Sequence, residues 1–447
     1  MLKNYQEAKK YLDSFVNYEK KRSFFYSRCL KLRRVKVLME KLEIPYSQFK
    51  VIHIAGTKGK GSVATFCAYI LAASGFKAGL FTSPHFLDMR ERIKILEKKE
   101  KIKEIMISKD SLKNILNEMY PVLEELRETE LGRITFFEVY TAIAFKYFFQ
   151  KKVDFVVLET GLGGRVDATN IVAPSVTILT HIDYDHTDKL GKTLKKIAYE
   201  KAGIIKRRIP VISSFQRKSV EEVLKEKAER EKAELFMLRK DFGFSNVCLK
   251  KDYTLFDFWF SDFSLKDIKI IMKGKHQVEN ACLALASLHI LEKRKVLKKV
   301  SFKEGLRKAF LEGRFEIVKK NPLVVLDVAH NLSSFKALKE TLSFYFPKKK
   351  IILIFASSSD KPAEKMIKEI KEETKKIIFT RFSNPRSISP EELYKKLKIK
   401  EAEVVNSSYK ALRKALSFCK KNDLILITGS FYLVAEIKKA FRYGVIS

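Results

Sequence analysis

Cysteine is scarce. The 447 residues hold five, Cys29, Cys67, Cys248, Cys282 and Cys419, and no two are spaced as Cys-x-x-Cys. A disulfide-stapled scaffold and a structural zinc site are excluded, and buried, reduced thiols remain. Glycine and proline are thin, at 17 and 10, which excludes collagen-like and low-complexity chains. No apolar run approaches the ~18 to 20 residues that span a bilayer. The start, Met1-Leu2-Lys3-Asn4-Tyr5-Gln6-Glu7, is polar and lacks the apolar centre of a secretion signal, so a cytoplasmic protein with no membrane partner is expected. Asn and Gln number only 12 and 5 while Lys and Glu abound, a balance that leans toward a heat-adapted source.

What is present is core-forming. Hydrophobic residues make up 46% and charged residues 32%, so the chain is globular, and its length suits two or three domains. The net charge of +36 is spread: residues 1–300 carry +21 and residues 301–447 carry +15. An even spread draws anionic small molecules in general. It is not the packed basic arm of a nucleic-acid binder, and no nucleic-acid motif accompanies it.

Short apolar runs alternate with amphipathic stretches, which predicts α/β layering with parallel sheets. The clearest strands are residues 51–55, 155–158, 176–180, 323–327, 351–355 and 424–428, each continuous enough to be buried on both faces. Residues 281–291 read as a buried helix, and the charged stretch 292–299 follows. That pattern places a domain boundary near residue 295, giving units 1–295 and 296–447. Residues 93–133, dense in charge, and residues 245–272, an antiparallel patch, are expected at the periphery of the first unit.

The sharpest chemical signal is Gly56-Thr57-Lys58-Gly59-Lys60-Gly61-Ser62, between a strand and a helix pattern. Such a loop turns backbone N–H groups and a helix N-terminus toward phosphate. Lys60 reaches the terminal phosphates and Ser62 sits near magnesium. It departs from the general phosphate loop in that Gly61 separates Lys60 from Ser62. Glu159 ends a buried strand, where α/β folds bind ligands and where magnesium finds a carboxylate. Thr180-His181-Ile182-Asp183-Tyr184-Asp185-His186 sets two histidines and two aspartates at another strand end. Taken singly, Glu159 is equally consistent with a surface acid. Lys201 is indistinguishable from the other lysines, and Arg314, Asp327 and His330 are weak signals.

Together these residues resemble the folylpolyglutamate synthase/dihydrofolate synthase branch of the Mur ligase family, in order and over nearly the whole chain. Gly56–Ser62 is similar to G-T-x-G-K-G-S. Thr82-Ser83-Pro84-His85 with Arg90-Glu91-Arg92-Ile93 is similar to T-S-P-H…R-I. Phe136-Phe137-Glu138 resembles the aromatic–Glu segment, and residues 159–170 resemble E-x-G-L-G-G-R-x-D-A-T-N. Asp185-His186 with Leu190-Gly191-Lys192-Thr193, Glu200-Lys201-Ala202-Gly203-Ile204, Gly274-Lys275-His276-Gln277 with Asn280-Ala281, Asp327–Asn331 and Thr428-Gly429-Ser430 follow as D-H…L-G-x-T, E-K-A-G-I, G-x-H-Q…N-A, D-G-A-H-N and T-G-S. Lys58 stands in place of Asn, Thr160 of Val, and Val328 of Gly, the last expected to stiffen the turn that carries His330.

The resemblance implies a P-loop NTPase-like ATP-binding domain (1–295) and a Rossmann-like C-terminal glutamate ligase domain (296–447). It implies a reaction in which ATP activates a carboxylate as an acyl phosphate that the amine of L-glutamate attacks. By similarity, Gly56, Thr57, Lys58, Gly59, Lys60, Gly61 and Ser62 hold the ATP phosphates, and Asn280, Arg314 and Asp327 contact ATP. Ser83, Glu159 and His186 bind magnesium, two ions being expected, and Lys201 is the family's carbamylated lysine. Thr82, Phe137, Leu162, Gly163, Gly164 and Arg165 line the pterin and aminobenzoate path, which the stretch Leu32-Arg33-Arg34-Val35 also approaches. His330 positions glutamate, and Lys60, Lys201 and His330 are the catalytic set. The implied partners are dihydropteroate or reduced folate, L-glutamate and ATP, handled by a bifunctional monomer. Another Mur-type amino-acid ligase, a nucleic-acid-stimulated ATPase and an inactive relative are the alternatives. The folate-branch segments, the missing nucleic-acid motif and the intact Lys60, Glu159, His186 and Lys201 speak against them in turn.

Overall fold

A computed structural model describes residues 1–19, 21, 26–127, 129 and 132–444. Among these residues the first sheet contains β1 (Lys50–Ala55), β2 (Ala78–Phe81), β3 (Ile93–Lys98), β4 (Ile102–Met106), β5 (Phe155–Glu159), β6 (Val176–Leu179), β7 (Val211–Ser213) and β8 (Leu235–Met237). Their order is β4-β3-β2-β5-β1-β6-β7-β8. A meander of β9 (Phe242–Leu249), β10 (Thr254–Phe260) and β11 (Phe263–Ile270) follows. The last sheet holds β12 (Glu316–Lys320), β13 (Leu323–Leu326), β14 (Lys350–Phe355), β15 (Thr374–Phe379), β16 (Ala402–Val404) and β17 (Asp423–Thr428), in the order β12-β13-β17-β14-β15-β16.

All six expected strands form, and the central ones pair in parallel. The two large sheets are covered on both faces. Ile52 and Ile54 of β1 pack with Val63, Phe66 and Ile70 of helix Lys60–Ala73 and with Ala281 and Leu285 of helix Lys275–Lys293. Val51 points the other way, toward Phe145 and Phe148 of helix Phe136–Gln150. Successive side chains of a strand face opposite sides, so a strand buried twice must be apolar throughout. Each fully buried Ile, Leu or Phe contributes about 1.5–3 kcal/mol. In the last sheet Val325, Leu353 and Leu426 face one helix layer, while Val324, Ile352 and Ile425 face the other.

The sheets are mixed rather than wholly parallel. β3 runs antiparallel to β2, β4 to β3, and β12 to β13. These are the charged outer strands. β4 is largely exposed and pairs through Lys94 and Glu104 across the hairpin, a composition that blunts an edge. The described residues of 93–133 and residues 245–272 do lie at the periphery, as a sheet-edge hairpin with helix Lys109–Arg127 and as the meander. Among the described residues no helix is long and apolar enough to cross a membrane.

Helix Phe302–Lys308 follows the charged stretch and packs back on helix Lys60–Ala73. The contact is so close that a Cβ on Gly305 would stand 2.4 Å from the Ile70 Cα. Gly305→Ala is therefore expected to lower stability by about 1–3 kcal/mol in urea unfolding. A variant as stable as the parent would mean that these helices are free to separate.

Candidate active site

β5, β1 and β6 are neighbours and run parallel, so the segments that leave their carboxyl ends arrive together. These are the glycine loop, residues 159–167, and residues 180–186. In the last sheet β13, β17 and β14 are likewise adjacent, which collects Asp327–Asn331, Gly429–Ser430 and Ser357–Lys361. Both sets line one cavity of about 570 Å³. It takes in Gly56, Thr57, Lys58, Gly59, Lys60, Gly61, Ser62, Ser83, Phe137, Glu159, Leu162, Gly163, His186, Lys201, Asn280, Arg314, Asp327 and His330. Thr82, Gly164 and Arg165 are not among its lining residues.

The glycine loop is shaped by two close approaches. Gly56 lies at φ +151°, where a Cβ would stand 1.9 Å from Thr180 Oγ1, and Gly59 at φ +86°, where one would stand 2.2 Å from Asn280 Oδ1. Glycine alone fits both backbone and space. The N–H groups of Thr57 and Lys58 donate to the His181 carbonyl at 3.0 and 3.3 Å. Helix Lys60–Ala73 starts at Gly59 without a side-chain cap, which leaves its first N–H groups for an anion. Lys60 Nζ donates to the Gly56 carbonyl at 3.2 Å, and Lys201 Nζ donates to the same oxygen at 2.8 Å. Burial, and then the charge of Lys60, lower the Lys201 amine to about 7. Lys58, the departure from Asn, pairs with Asp183 at 3.3 Å. Its ammonium is lowered by burial and partly restored by that carboxylate.

Glu159 is buried, and its Oε2 accepts the Ser83 N–H at 3.1 Å. Burial raises this carboxyl, with Lys60 the largest opposing influence. His186 sits at φ +48°, a left-handed conformation that costs a histidine about 1–3 kcal/mol. Its N–H donates to Asp185 Oδ1 at 2.9 Å, while its Nδ1 is buried without a hydrogen-bond partner. Burial lowers the His186 imidazole to about 3, with the Asp185 carboxylate opposing it.

From the last sheet come Arg314, Asp327 and His330. Asp327 accepts the N–H groups of Phe315 and Ala329 at 2.9 and 2.8 Å. Burial raises its carboxyl against the pull of Arg314, whose guanidinium is lowered by burial in turn. His330 Nδ1 meets the Val328 carbonyl at 2.8 Å, which makes that nitrogen the donor and leaves Nε2 3.7 Å from Asp185 Oδ2. Val328 itself is buried and outside the positive-φ region, so this turn does not need glycine. Phe137, which also lines the cavity, packs on Gly161, where a Cβ would stand 2.7 Å from the ring. Arg34 is held by Glu138 at 2.8 Å and by the Cys29 carbonyl. Arg165 pairs with Glu200 at 2.9 Å.

The site contains a junction that residue types alone did not single out. Asp185 belongs to the first sheet. Its carboxylate meets Lys361 Nζ and, at 3.2 Å, Asn331 Nδ2 from the last sheet. The side chains of Lys361 and Asp185 are 7% and 8% exposed, so both charges are largely withdrawn from water. A hint was present: Asp360-Lys361 lies shortly beyond the apolar run 351–355, the same position that drew attention to Glu159. Burial would raise the Asp185 carboxyl, but His186, Lys361 and His330 together hold it well below the ordinary range. Its contribution to stability is thus fully present above about pH 4, the unfolded value, and is lost as pH falls through the lower folded value. Asp185→Asn should flatten the acid limb of a stability–pH profile. With Lys361→Met it should show a coupling of about 0.5–3 kcal/mol in a double-mutant cycle. Additive effects would remove the junction.

Comparison with known proteins agrees with this arrangement. Residues 54–288 match the Mur ligase middle domain, and residues 313–431 match the Mur ligase glutamate ligase domain. The dihydrofolate synthase/folylpolyglutamate synthase of Bacillus subtilis (strain 168) is 35% identical over 437 residues, 96% of this chain and 100% of that protein. Mycobacterium tuberculosis folylpolyglutamate synthase complexed with ADP superposes with a TM-score of 0.87 at 26% identity, covering 98% of each chain. A folylpolyglutamate synthase solved with AMPPCP and folate gives 0.83 at 28% identity, covering 98% of this chain and 99% of that one. With two sheets meeting at one cavity and a whole-length match of this kind, the chain belongs to the Mur ligase family, in its folylpolyglutamate synthase/dihydrofolate synthase branch.

Proposed function

We propose that this chain is a cytoplasmic, monomeric ligase of two units, 1–295 and 296–447, that uses ATP to add L-glutamate both to dihydropteroate and to the glutamate tail of tetrahydrofolate. One observation carries the reading. A single cavity gathers a glycine loop with two lysines, a buried Glu and His, and a second set of Arg, Asp and His from the other sheet. The likeness to a chain solved with AMPPCP and folate supports it. The packing of helix Phe302–Lys308 on helix Lys60–Ala73 favours counting that helix with the first unit.

The substrate carboxylate attacks the γ-phosphorus, the bond to ADP breaks, and an acyl phosphate forms. The neutral amine of glutamate then attacks the acyl carbon, the bond to phosphate breaks, and the surplus amine proton is released. A carboxylate is a poor electrophile, and phosphorylation supplies its leaving group. The first N–H groups of helix Lys60–Ala73 and Lys60 hold the phosphates and offset the charge of the approaching anions. Asn280, Arg314 and Asp327 contact ATP. Leu162, Gly163 and Phe137 line the pteridine path, with Thr82, Gly164 and Arg165 behind it. His330 positions glutamate. Closure of the two units over the cavity excludes water from the acyl phosphate.

The residues fit magnesium. Glu159 offers a carboxylate beside Ser83, and His186 offers a buried, unpartnered nitrogen. Among the described residues no three His, Cys, Asp or Glu side chains form a metal centre of their own. That suits an ion that takes most of its oxygens from phosphate and water. Bound there, magnesium supplies charge that offsets the phosphates. Lys201, with its amine near 7, has the neutral form that takes up carbon dioxide, and its carbamate would give a second ion a carboxylate.

Phosphate release from Mg-ATP with L-glutamate tests the reading. Release with both dihydropteroate and tetrahydrofolate is expected. Release with one only would make the enzyme monofunctional, and release with neither would sink the folate assignment. Lys60→Ala should cut turnover by at least about 10²-fold with the fold intact. Lys201→Ala should lose activity and regain part of it with added short carboxylates. Full activity without them would exclude the carbamate.

A further inference from the structure

The Gly-Leu-Gly-Gly-Arg turn does two separate jobs. Leu162 and Gly163 face the cavity, but the rest of the turn closes on the carboxyl end of helix Leu194–Ala202, which carries Lys201. The last carbonyls of a helix have no partner within it. Here the Arg165 N–H donates to the Glu200 carbonyl at 2.7 Å. Asn170 Nδ2 donates both to the Arg165 carbonyl at 3.0 Å and to the Gly203 carbonyl at 3.1 Å, so one amide ties the turn to the helix end. The backbones interlock. A Cβ on Gly164 would stand 2.9 Å from the carbonyl oxygens of Glu200 and Lys201, and one on Gly203 would stand 2.4 Å from the Arg165 Cα.

The Arg165 side chain completes the socket. Its Nη2 and Nε donate to Glu200 Oε1 at 2.9 and 3.1 Å, and its guanidinium lies over the Tyr199 ring, 5.7 Å from the centroid. A cation at a helix carboxyl end also suits the helix dipole. Residues 199, 200 and 203 are therefore gripped from both sides of Lys201, whose Nζ is thereby aimed at the Gly56 carbonyl.

We infer that Arg165, Glu200 and Asn170 are positioning residues that hold Lys201 against the phosphate loop, and that Arg165 is not a substrate contact. The inference rests on Lys201 acting in the reaction. Partners that orient a working side chain cost about 10–100-fold in activity when removed.

Steady-state kinetics on Arg165→Met, Glu200→Gln, their double variant and Asn170→Ala test it, with tetrahydrofolate varied at saturating Mg-ATP and glutamate. Thermal unfolding checks the fold, and Lys201→Ala is the reference. The expected result is a fall in kcat on the order of tenfold with KM for the pteridine unchanged. The double variant should be no slower than the slower single one, and Arg165→Lys should recover part of kcat. If Arg165→Met does not fold, Arg165→Lys and Glu200→Gln carry the test. A raised KM confined to the Arg165 variants, with Glu200→Gln fully active, would return Arg165 to the substrate path and overturn the inference. So would parental kcat throughout the set while Lys201→Ala is slow. Parental kcat in Lys201→Ala would instead fail the underlying role of the lysine.

Discussion

Two lysines that donate to one carbonyl oxygen repel each other, and the repulsion eases when one gives up its charge or an anion comes between them. Lys60 and Lys201 meet on the Gly56 carbonyl in this way. The conflict falls on Lys201, whose amine is lowered by burial and by Lys60, while the charge of Lys60 is felt by the buried Glu159 carboxyl. Beside this pair of amines a phosphate meets positive charge. That is the electrostatic condition for a reaction in which a carboxylate must approach a triphosphate. The glycines of the loop, the Thr180 and Asn280 side chains that press on them, and the helix that begins at Gly59 all serve to keep that carbonyl and those two lysines in register.

The second constraint is the junction at Asp185. Buried ion pairs add little stability in themselves, because desolvation consumes most of the attraction, but losing one partner is costly. A carboxylate next to His186 that reaches Lys361, Asn331 and His330 therefore makes the spacing between the sheets part of the chemistry. Phe86 and Phe431, stacked at 4.1 Å, add an apolar contact across the same seam. The glycine loop stands on one side of it and Arg314, Asp327 and His330 stand on the other, so a change in the seam acts on both sets.

Much of this was legible before any coordinates. The six central strands of the two large sheets announced themselves because a strand buried on two faces is apolar at every position. The glycine loop did so because close backbone approach admits no Cβ. Less visible was the direction of the outer strands. β3, β4 and β12 carry mixed, charged sequences whose pairing depends on which neighbour has a free edge. Arg165 is the instructive case. Its motif placed it on the pteridine path, and its neighbours Leu162 and Gly163 do face the cavity, yet its guanidinium lies against Glu200, 35 residues further along the chain.

What the amino-acid order decided is the set of local commitments. Those are the apolar runs that must be strands, the glycines that permit the phosphate loop, and carboxylates and histidines waiting at strand ends. These depend on sterics and solvation within a few residues, which a single sequence carries. What waited for the folded chain is which charge meets which. Lys361 finds Asp185 across 176 residues and Lys201 finds Gly56 across 145. One of 89 cations becomes a buried amine lowered to about 7 because the packing of two sheets and a helix end removes water from it and sets Lys60 beside it. Coulomb and desolvation energies turn on distance and burial, and neither exists until the sheets are assembled.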